Sequence, residues 1–274
     1  MWLATTRRKA VGHNICIAGL IAGLLHSAAG CREGEAAGDH ETPGTTAQWT
    51  QSRQAEVGGH YFGVYEIGGL RQSAWLHLDN DSLGGAIYGS PRLLRVCALR
   101  IASDGAVAFS TGADFGRGRS ARSFEGRFDA DGLRGTLRMF GRDFGEVVFH
   151  RFAEAPDGLH RLTGFYSNIV LVEEAGDLVG SEVIIAADGD ELRVMFDDRE
   201  GASVPHAGFN VSFARDTLRF DIIALDGSTM RHVGILRDSG LILFRESRPE
   251  ASETLPKRFT LEEFFGQERY GECE

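Results

Sequence analysis

The sequence predicts an all-β protein: an antiparallel meander arranged as two tandem small β-barrel units, followed by a short C-terminal helix. Three observations lead to this prediction: strands in which apolar and polar residues alternate, Asp-Gly turns between these strands, and a high glycine content. Glycine accounts for 36 of the 274 residues, whereas proline accounts for only 6. Many glycines with few prolines favour a chain with many tight turns.

Three runs of the sequence alternate apolar and polar residues. In the first run, Phe124 and Phe128 fall on one face, and Glu125 and Arg127 fall on the other. Because successive side chains of a strand point to opposite faces of the sheet, this pattern is typical of antiparallel strands with one buried face. The three runs are residues 122–130, 133–140 and 218–225.

Short turn sequences separate the predicted strands. Asp-Gly between alternating runs is the strongest short hairpin signal, because glycine accepts the positive φ that primed turns require. Their recurrence at short intervals predicts a meander of short strands that forms a barrel or a sandwich. The turns lie at residues 103–105, 130–132, 187–189, 225–227 and 238–240.

The chain also contains a candidate internal repeat. If it reflects a tandem duplication, each copy has enough strands to close a small barrel whose interior is filled or holds one small ligand. The alternative is that any two Asp-Gly hairpins resemble each other. The paired segments are 59–65 with 164–170, 100–109 with 184–193, 128–132 with 223–227, and 148–152 with 243–247.

The C-terminal segment departs from the strand pattern. Thr260 followed by Glu263 is a capping-box sequence, in which each residue bonds the backbone N–H of the other. We therefore predict a helix over about residues 261–268. Phe264 and Phe265 would dock this helix on a barrel end or between the two units.

The first thirty residues have the layout of a secretory signal. The only charges are Arg7, Arg8 and Lys9, and the eleven apolar residues 15–25 follow them. An eleven-residue helix is roughly 16 Å long, which is too short for a hydrocarbon core of roughly 30 Å. A basic start, a short apolar stretch and small residues before a cut indicate cleavage by a signal peptidase.

The segment SAAGC at residues 27–31 resembles the bacterial lipobox, which ends the signal peptide of lipoproteins. The resemblance implies that Cys31 receives the lipid and becomes the first mature residue, and that the lipid holds the protein to a membrane. The segment has Ala28 where the family usually has Leu, so ordinary cleavage near Gly30 remains an alternative. Arg32 is not the Asp of the enteric inner-membrane retention signal, so the resemblance implies the outer membrane of the cell envelope.

These patterns divide the chain into five segments. Residues 32–57 lack apolar periodicity and are predicted to be a flexible tether. The segments are a signal peptide (1–30), the lipidated Cys31 with the tether (31–57), a first β-barrel unit (58–155), a second β-barrel unit (156–250), and a C-terminal helix and tail (251–274).

The net charge limits the class of partner, and the cysteine content bears on whether the protein forms a disulfide. Removal of residues 1–30 takes away three positive charges and no negative ones, so the formal net charge falls from −10 to −13. This charge argues against a nucleic-acid partner, which requires a basic face. Outside the cytoplasm, Cys97 and Cys273 either pair with each other or remain as a buried and a loose cysteine.

No catalytic or metal-binding motif is present in the mature sequence. It contains no G-x-S-x-G, S-x-x-K, P-loop, H-E-x-x-H or C-x-x-C pattern. We therefore predict a protein that is not an enzyme and has no metal and no cofactor.

Aromatic residues of the first unit are candidate ligand contacts. Tyr61 and Tyr65 lie in the first predicted strand, whereas Trp75 and His77 share one face of a later strand. If these faces line an interior, the side chains form a pocket; if the second face meets solvent, Trp75 and His77 are surface residues. A packed barrel core has a similar composition, so both alternatives stay open.

A local basic segment is a second candidate site. Arg117, Arg119 and Arg122 lie in a predicted loop of an acidic protein. Guanidinium groups suit carboxylates and phosphates, so this loop is a candidate site for an anion or a protein partner. The alternative is a solvated strand edge whose arginines discourage edge-to-edge pairing.

The predicted architecture resembles the lipocalins and other small calycin-type barrels, but no family motif supports this resemblance, and it implies no activity. Missing catalytic motifs favour a non-catalytic binding module for a small apolar ligand or an envelope protein. The alternatives are a tethered inhibitor or immunity protein against a basic hydrolase, whose encounter the acidic charge would speed, and a structural envelope protein. An enzyme with a dispersed site is the least favoured class, although such sites are recognised by geometry and not by sequence order.

Overall fold

The fold of this chain consists mainly of antiparallel strands. It is known from a computed structural model, and all described residues belong to one compact unit. The structure describes residues 54–80, 82–88, 93–111, 122–139, 142–154, 156–174, 176–200, 204–267 and 273.

The first barrel is a closed meander of eight strands. Each strand pairs antiparallel with the next, and β1 pairs with both β2 and β8, which closes the ring. Closure leaves no open sheet edge. Helix α1 (Gln54–Val57) precedes the strands β1 (Gly59–Ile67), β2 (Leu70–Leu78), β3 (Gly85–Tyr88), β4 (Leu93–Ile101), β5 (Ala106–Thr111), β6 (Arg122–Asp129), β7 (Gly132–Met139) and β8 (Arg142–Arg151).

The second unit continues the meander but divides its strands between two sheets. Helix α2 (Asp157–His160) precedes it, and α3 (Leu261–Phe265) follows it. The strands are β9 (Gly164–Ser167), β10 (Val170–Val172), β11 (Asp177–Asp188), β12 (Glu191–Glu200), β13 (His206–Ala207), β14 (Phe209–Ala214), β15 (Thr217–Ile223), β16 (Thr229–Arg237), β17 (Gly240–Arg245), β18 (Arg248–Leu255) and β19 (Lys257–Phe259).

The two sheets of the second unit are joined where the chain crosses between them. One sheet has the order β13-β12-β11-β9-β19, and the other has the order β14-β15-β16-β17-β18. Only Gly208 separates β13 from β14, and only Pro256 separates β18 from β19. β9 and β10 act as one interrupted strand, because both pair with β11 in the same register. Because β13 pairs with β12 and β19 pairs with β9, these two crossings join the edges of the two sheets.

The predicted meander and C-terminal helix are confirmed. All five Asp-Gly or Asp-Ser-Gly turns connect consecutive strands that pair antiparallel. The capping box of α3 is formed, because the Glu263 amide donates to Thr260 Oγ1 at 3.2 Å and the Thr260 amide donates to Glu263 Oε2 at 2.8 Å. None of the helices in the described residues is long and apolar enough to cross a membrane.

Three apolar clusters hold the fold together. The first fills the interior of the first barrel and includes Tyr61, Tyr65 and Phe124. The second lies between the two units, where Trp75 and residues of β9, β11 and β12 pack with Phe264 and Phe265 of α3. The third lies between the two sheets of the second unit. An eight-stranded barrel is just wide enough for its own side chains to fill.

One of the predicted repeat pairs occupies equivalent positions in the two units. Segments 59–65 and 164–170 both begin the first strand of a unit. The Tyr61 hydroxyl donates to the Val57 carbonyl, and the Tyr166 hydroxyl donates to the Leu162 carbonyl at 2.9 Å, each four residues upstream.

The other predicted repeat pairs are wrong. The turn at 103–105 joins the fourth and fifth strands of the first barrel, whereas the turn at 187–189 joins the second and third strands of the second unit. The turn at 130–132 corresponds in position to the turn at 238–240. Local turn chemistry is the same at every hairpin, so similarity between turns does not identify equivalent strands.

Candidate binding site

The four residues predicted to form a pocket lie on opposite faces of the first barrel. Tyr61 and Tyr65 point into its filled interior, and burial raises the pKa of Tyr61 to about 12. Trp75 is fully buried on the outer face, in the cluster between the two units. His77 lies further along that face. The four side chains therefore do not line one pocket.

His77 belongs instead to a small ring cluster under α3. Its ring lies 4.4 Å from the ring of His60 and 5.5 Å from that of Phe265, centroid to centroid. Its Nε2 lies 3.4 Å from Asp79 Oδ1. Burial, together with the neighbouring His77, lowers the pKa of His60 to about 4. This cluster docks the C-terminal helix on the barrel.

The basic segment is not an exposed arginine loop at Arg122. That residue is only 2% exposed at the start of β6, and its charge acts on the buried Tyr65. The other two arginines of the predicted site, Arg117 and Arg119, lie outside the described residues. The predicted lipid attachment site, Cys31, also lies outside them.

Cys97 and Cys273 form a disulfide whose Cα atoms are 5.5 Å apart. The bond links residues that are 176 positions apart in the sequence. Cys97 lies on β4 of the first barrel and is buried. The disulfide therefore fastens the C-terminal end of the chain to the first barrel.

A pocket of about 320 Å³ opens between the two sheets of the second unit. Its floor is apolar, because it includes Phe196 of β12 and Leu243 of β17, which belong to the core of that unit. We call it the mouth pocket, and the residues that define it are Phe196, Arg199, His232, Leu243, Arg245 and Arg248.

Arg199 borders the mouth pocket on β12, and its side chain lies on the opposite face of that strand from Phe196, in a buried network. Its Nε donates to Asp197 Oδ2 at 2.8 Å, and its Nη2 donates to Tyr88 Oη at 3.1 Å. Asp197 also accepts a hydrogen bond from the Val204 amide at 3.0 Å. These contacts hold the Arg199 side chain against Tyr88, at the contact between the two units.

Glu182 completes this network behind the pocket. Its Oε1 accepts a hydrogen bond from Tyr88 and lies 3.5 Å from Arg199 Nη2. Burial raises the pKa of Glu182 to about 7, although Arg199 and the Tyr88 hydrogen bond favour the charged form. Because Tyr88 belongs to the first barrel, the pocket wall is tied to the contact between the two units.

His232 is a buried imidazole at the inner end of the mouth pocket. It is 1% exposed, and neither ring nitrogen makes a hydrogen bond of normal geometry with the described residues. The ring packs against Phe196 at 4.6 Å and Phe220 at 5.2 Å between centroids. Burial, with Arg245 nearby, lowers the pKa of His232 to about 4, so at neutral pH it offers one donor and one acceptor.

The donor set of the mouth pocket suits binding better than covalent catalysis. Ser181 is its hydroxyl, and Ser181 Oγ donates to Asp198 Oδ1 at 3.4 Å and not to His232. In a Ser-His-Asp triad the base beside the serine is an imidazole, and His232 does not take this place beside Ser181. In the part of the chain that the structure describes, no group of three or more His, Cys, Asp or Glu side chains could hold a metal ion.

A larger groove of about 570 Å³ lies between the first barrel and the strands β12 and β14. Its charged side chains include Arg193, which already pairs with Asp188 and Glu191 at 2.9 Å each. Among the residues that the structure describes, no buried polar atom without a hydrogen bond belongs to this groove. The smaller mouth pocket is therefore the better candidate site.

The sequence interpretation missed every polar residue of the mouth pocket. A signal was present for Glu182, which precedes the apolar run VIIAA and interrupts a buried strand. His232 also stands opposite Phe220, which faces the core. A charged or polar residue inside an apolar strand marks a buried polar group.

Comparisons of the chain with protein-family models, with curated proteins and with solved structures found no match.

Proposed function

We propose that this chain is a lipid-anchored protein of the bacterial cell envelope that acts as a non-catalytic binding module. The observation that carries the proposal is the mouth pocket: an opening with an apolar floor, two arginines at its rim and a buried His232 whose ring nitrogens make no hydrogen bond of normal geometry with the described residues. Ligand sites are concave, mostly apolar and equipped with a few placed polar groups.

The anchor in this proposal is the lipid on Cys31. Residues 1–31 support it through their basic start, short apolar stretch and lipobox-like end. Two or more acyl chains give stable attachment, since each buried CH₂ contributes about 0.8 kcal/mol. The absence of Asp at position 32 favours the outer membrane.

Native mass spectrometry tests the binding function. The full chain, purified in mild detergent, is expected to carry a bound mass that disappears on denaturation. A bare protein mass in repeated preparations from the native host would contradict the proposal.

Metabolic labelling tests the anchor. We expect labelled palmitate to enter the wild-type chain and not a Cys31→Ser variant. The Cys16→Ser variant is the matched control, because Cys16 belongs to the same signal segment but precedes the cut. Equal labelling of wild type and Cys31→Ser would exclude Cys31 as the lipid attachment site.

A second candidate function is a tethered inhibitor of a basic hydrolase. The hairpin of β10 and β11 favours it, because Val170 and Leu171 are each 58% exposed and acidic residues Glu173, Glu174 and Asp177 lie at its tip. An exposed apolar pair beside acidic groups suits a basic partner. Leu171→Asp is expected to abolish inhibition of such a hydrolase and leave ligand occupancy of the mouth pocket unchanged.

A further inference from the structure

Arg245 and Arg248 face each other across the hairpin of β17 and β18 at the rim of the mouth pocket. Like charges directly opposite in an antiparallel pair repel each other. Asp198 Oδ2 lies 3.2 Å from Arg245 Nη2 and compensates the positive charge of Arg245. In the described residues, Arg248 has no carboxylate within ion-pair distance. The pair is therefore left with one guanidinium that lacks an anion.

One guanidinium at the rim of the pocket has no carboxylate partner among the described residues. Arg245 and Arg248 line the pocket together with Asp198 and Glu253, whereas the guanidinium of Arg199 lies on the other face of β12 and already pairs with Asp197. Glu253 already accepts a hydrogen bond from Asn168 Nδ2 at 2.9 Å. A negatively charged ligand group at the rim would restore the balance, and guanidinium forks bind carboxylates and phosphates well.

His232 requires a second polar group on the ligand. Its two ring nitrogens are buried and make no hydrogen bond of normal geometry with the described residues, and a buried polar group without such a bond costs free energy. A neutral imidazole can donate to a ligand oxygen or accept from a ligand hydroxyl. The ligand therefore combines an anionic group at the rim with a hydrogen-bonding group further in.

The floor of the mouth pocket indicates how polar the ligand is, and the volume of the pocket indicates how large it is. Phe196 and Leu243 belong to the apolar core, so the part of the ligand between the polar groups is apolar. A cavity of about 320 Å³ is near the lower end of the range for ligand pockets. At about 30 Å³ per water-sized group it has room for roughly ten such groups.

We propose that the mouth pocket binds a small organic anion: a carboxylate held at Arg248 and Arg245, a hydroxyl or carbonyl beside it that pairs with His232, and a compact apolar body on Phe196. This inference rests on the proposed binding function and names its ligand class. The same chemistry occurs in a free apolar acid and in the C-terminal residue of a peptide.

Calorimetry with matched probes tests the ligand class on the full chain in mild detergent. Phenyllactate supplies the carboxylate, the hydroxyl and an apolar ring, and phenyllactamide differs only in lacking the charge. We expect phenyllactate to bind at least tenfold more tightly than phenyllactamide. Equal affinity, or binding of the amide alone, would overturn the inference. Acetyl-Ala-Ala-Phe with a free carboxylate distinguishes the two sources, since tighter binding than phenyllactate points to a peptide end.

Arg248→Gln tests the position of the charge. We expect this variant to weaken phenyllactate binding at least tenfold. Arg237→Gln is the matched control, because Arg237 is exposed at the end of β16 and lies outside the mouth pocket. An unchanged affinity in Arg248→Gln would overturn the inference.

The outcomes separate this inference from the proposed function. A neutral co-purified ligand, with no phenyllactate binding, would overturn the anionic class and leave the binding module standing. A bare mass with no binding of any probe would overturn both.

Discussion

The hydroxyl of Tyr88 in the first barrel donates a buried hydrogen bond to Oε1 of Glu182 in the second unit. The two residues are 94 positions apart in the sequence, and both are almost fully buried. Arg199 lies against both of them, so this contact joins the interface between the units to the wall of the mouth pocket.

Removal of the Tyr88 hydroxyl tests this contact. Tyr88→Phe is expected to lower the free energy of unfolding by about 1–3 kcal/mol, because it removes one of the two donors to a buried carboxyl and leaves only Arg199 Nη2 at 3.5 Å. Urea unfolding followed by tryptophan fluorescence measures the change. In a Glu182→Gln background the same substitution should cost less, by at least about 0.5 kcal/mol. Equal costs in both backgrounds would mean that the two groups do not interact.

Glu182 gives stability a pH dependence. In the unfolded chain its pKa returns to the ordinary value of 4.5, whereas in the folded protein it is about 7. Between these values the folded state holds a proton that the unfolded state has lost, so the contribution of Glu182 to stability falls as pH rises from about 4.5 to about 7. Unfolding at pH 5, 6, 7 and 8 should show wild type losing stability relative to Glu182→Gln. If the difference in unfolding free energy between wild type and Glu182→Gln stayed constant with pH, Glu182 would not be the group that binds the proton.

His232 gives stability a pH dependence of the opposite sign. Its pKa is about 4 in the folded protein and 6.5 in the unfolded chain, so stability rises with pH across this window. His232→Leu should reduce that rise, and His60, whose pKa is also lowered to about 4, should account for part of what remains.

The same variant is informative at pH 7. Because neither ring nitrogen of His232 makes a hydrogen bond of normal geometry with the described residues, His232→Leu should leave the free energy of unfolding within about 1 kcal/mol of wild type or raise it. Phenyllactate binding should nevertheless weaken. A loss of several kcal/mol without ligand would show that the imidazole stabilises the fold.

The disulfide should contribute to stability through the unfolded chain. Cys273→Ser is expected to lower the free energy of unfolding by about 2–4 kcal/mol, because the bond closes a long loop. Dithiothreitol should bring wild type to the level of the variant and leave the variant unchanged. An intact mass of wild type that lacks no hydrogens relative to the reduced chain would contradict the bond.

Two glycines begin equivalent strands with a positive φ. Gly132 has φ 135° and Gly240 has φ 133°, and an added Cβ would lie 2.0 Å from the Phe149 carbonyl oxygen and 2.2 Å from the Leu255 carbonyl oxygen, respectively. Alanine at either position should cost about 1–3 kcal/mol of stability. Gly158→Ala in α2 is the control, since its Cβ would meet no atom within 4 Å, and it should stabilise by about 0.5 kcal/mol.

The sequence alone determined the features that depend on near neighbours. Alternation predicted the strands, four Asp-Gly sequences and one Asp-Ser-Gly sequence predicted the five turns, and Thr260 with Glu263 predicted the start of α3, because each signal involves only a few adjacent residues. Short-range rules of this kind hold wherever the tertiary structure does not oppose them.

Only the tertiary structure decided where the candidate site lies. Arg122 shares its strand face with Phe124 and is buried in the interior of the first barrel, and Glu182 is buried because the first barrel covers its face of β11. The type of residue alone predicts an exposed side chain at both positions. The mouth pocket joins residues from Val179 to Glu253 that no local pattern connects. Burial depends on which surfaces pack together, and that packing is a property of the folded chain as a whole, not of any short segment.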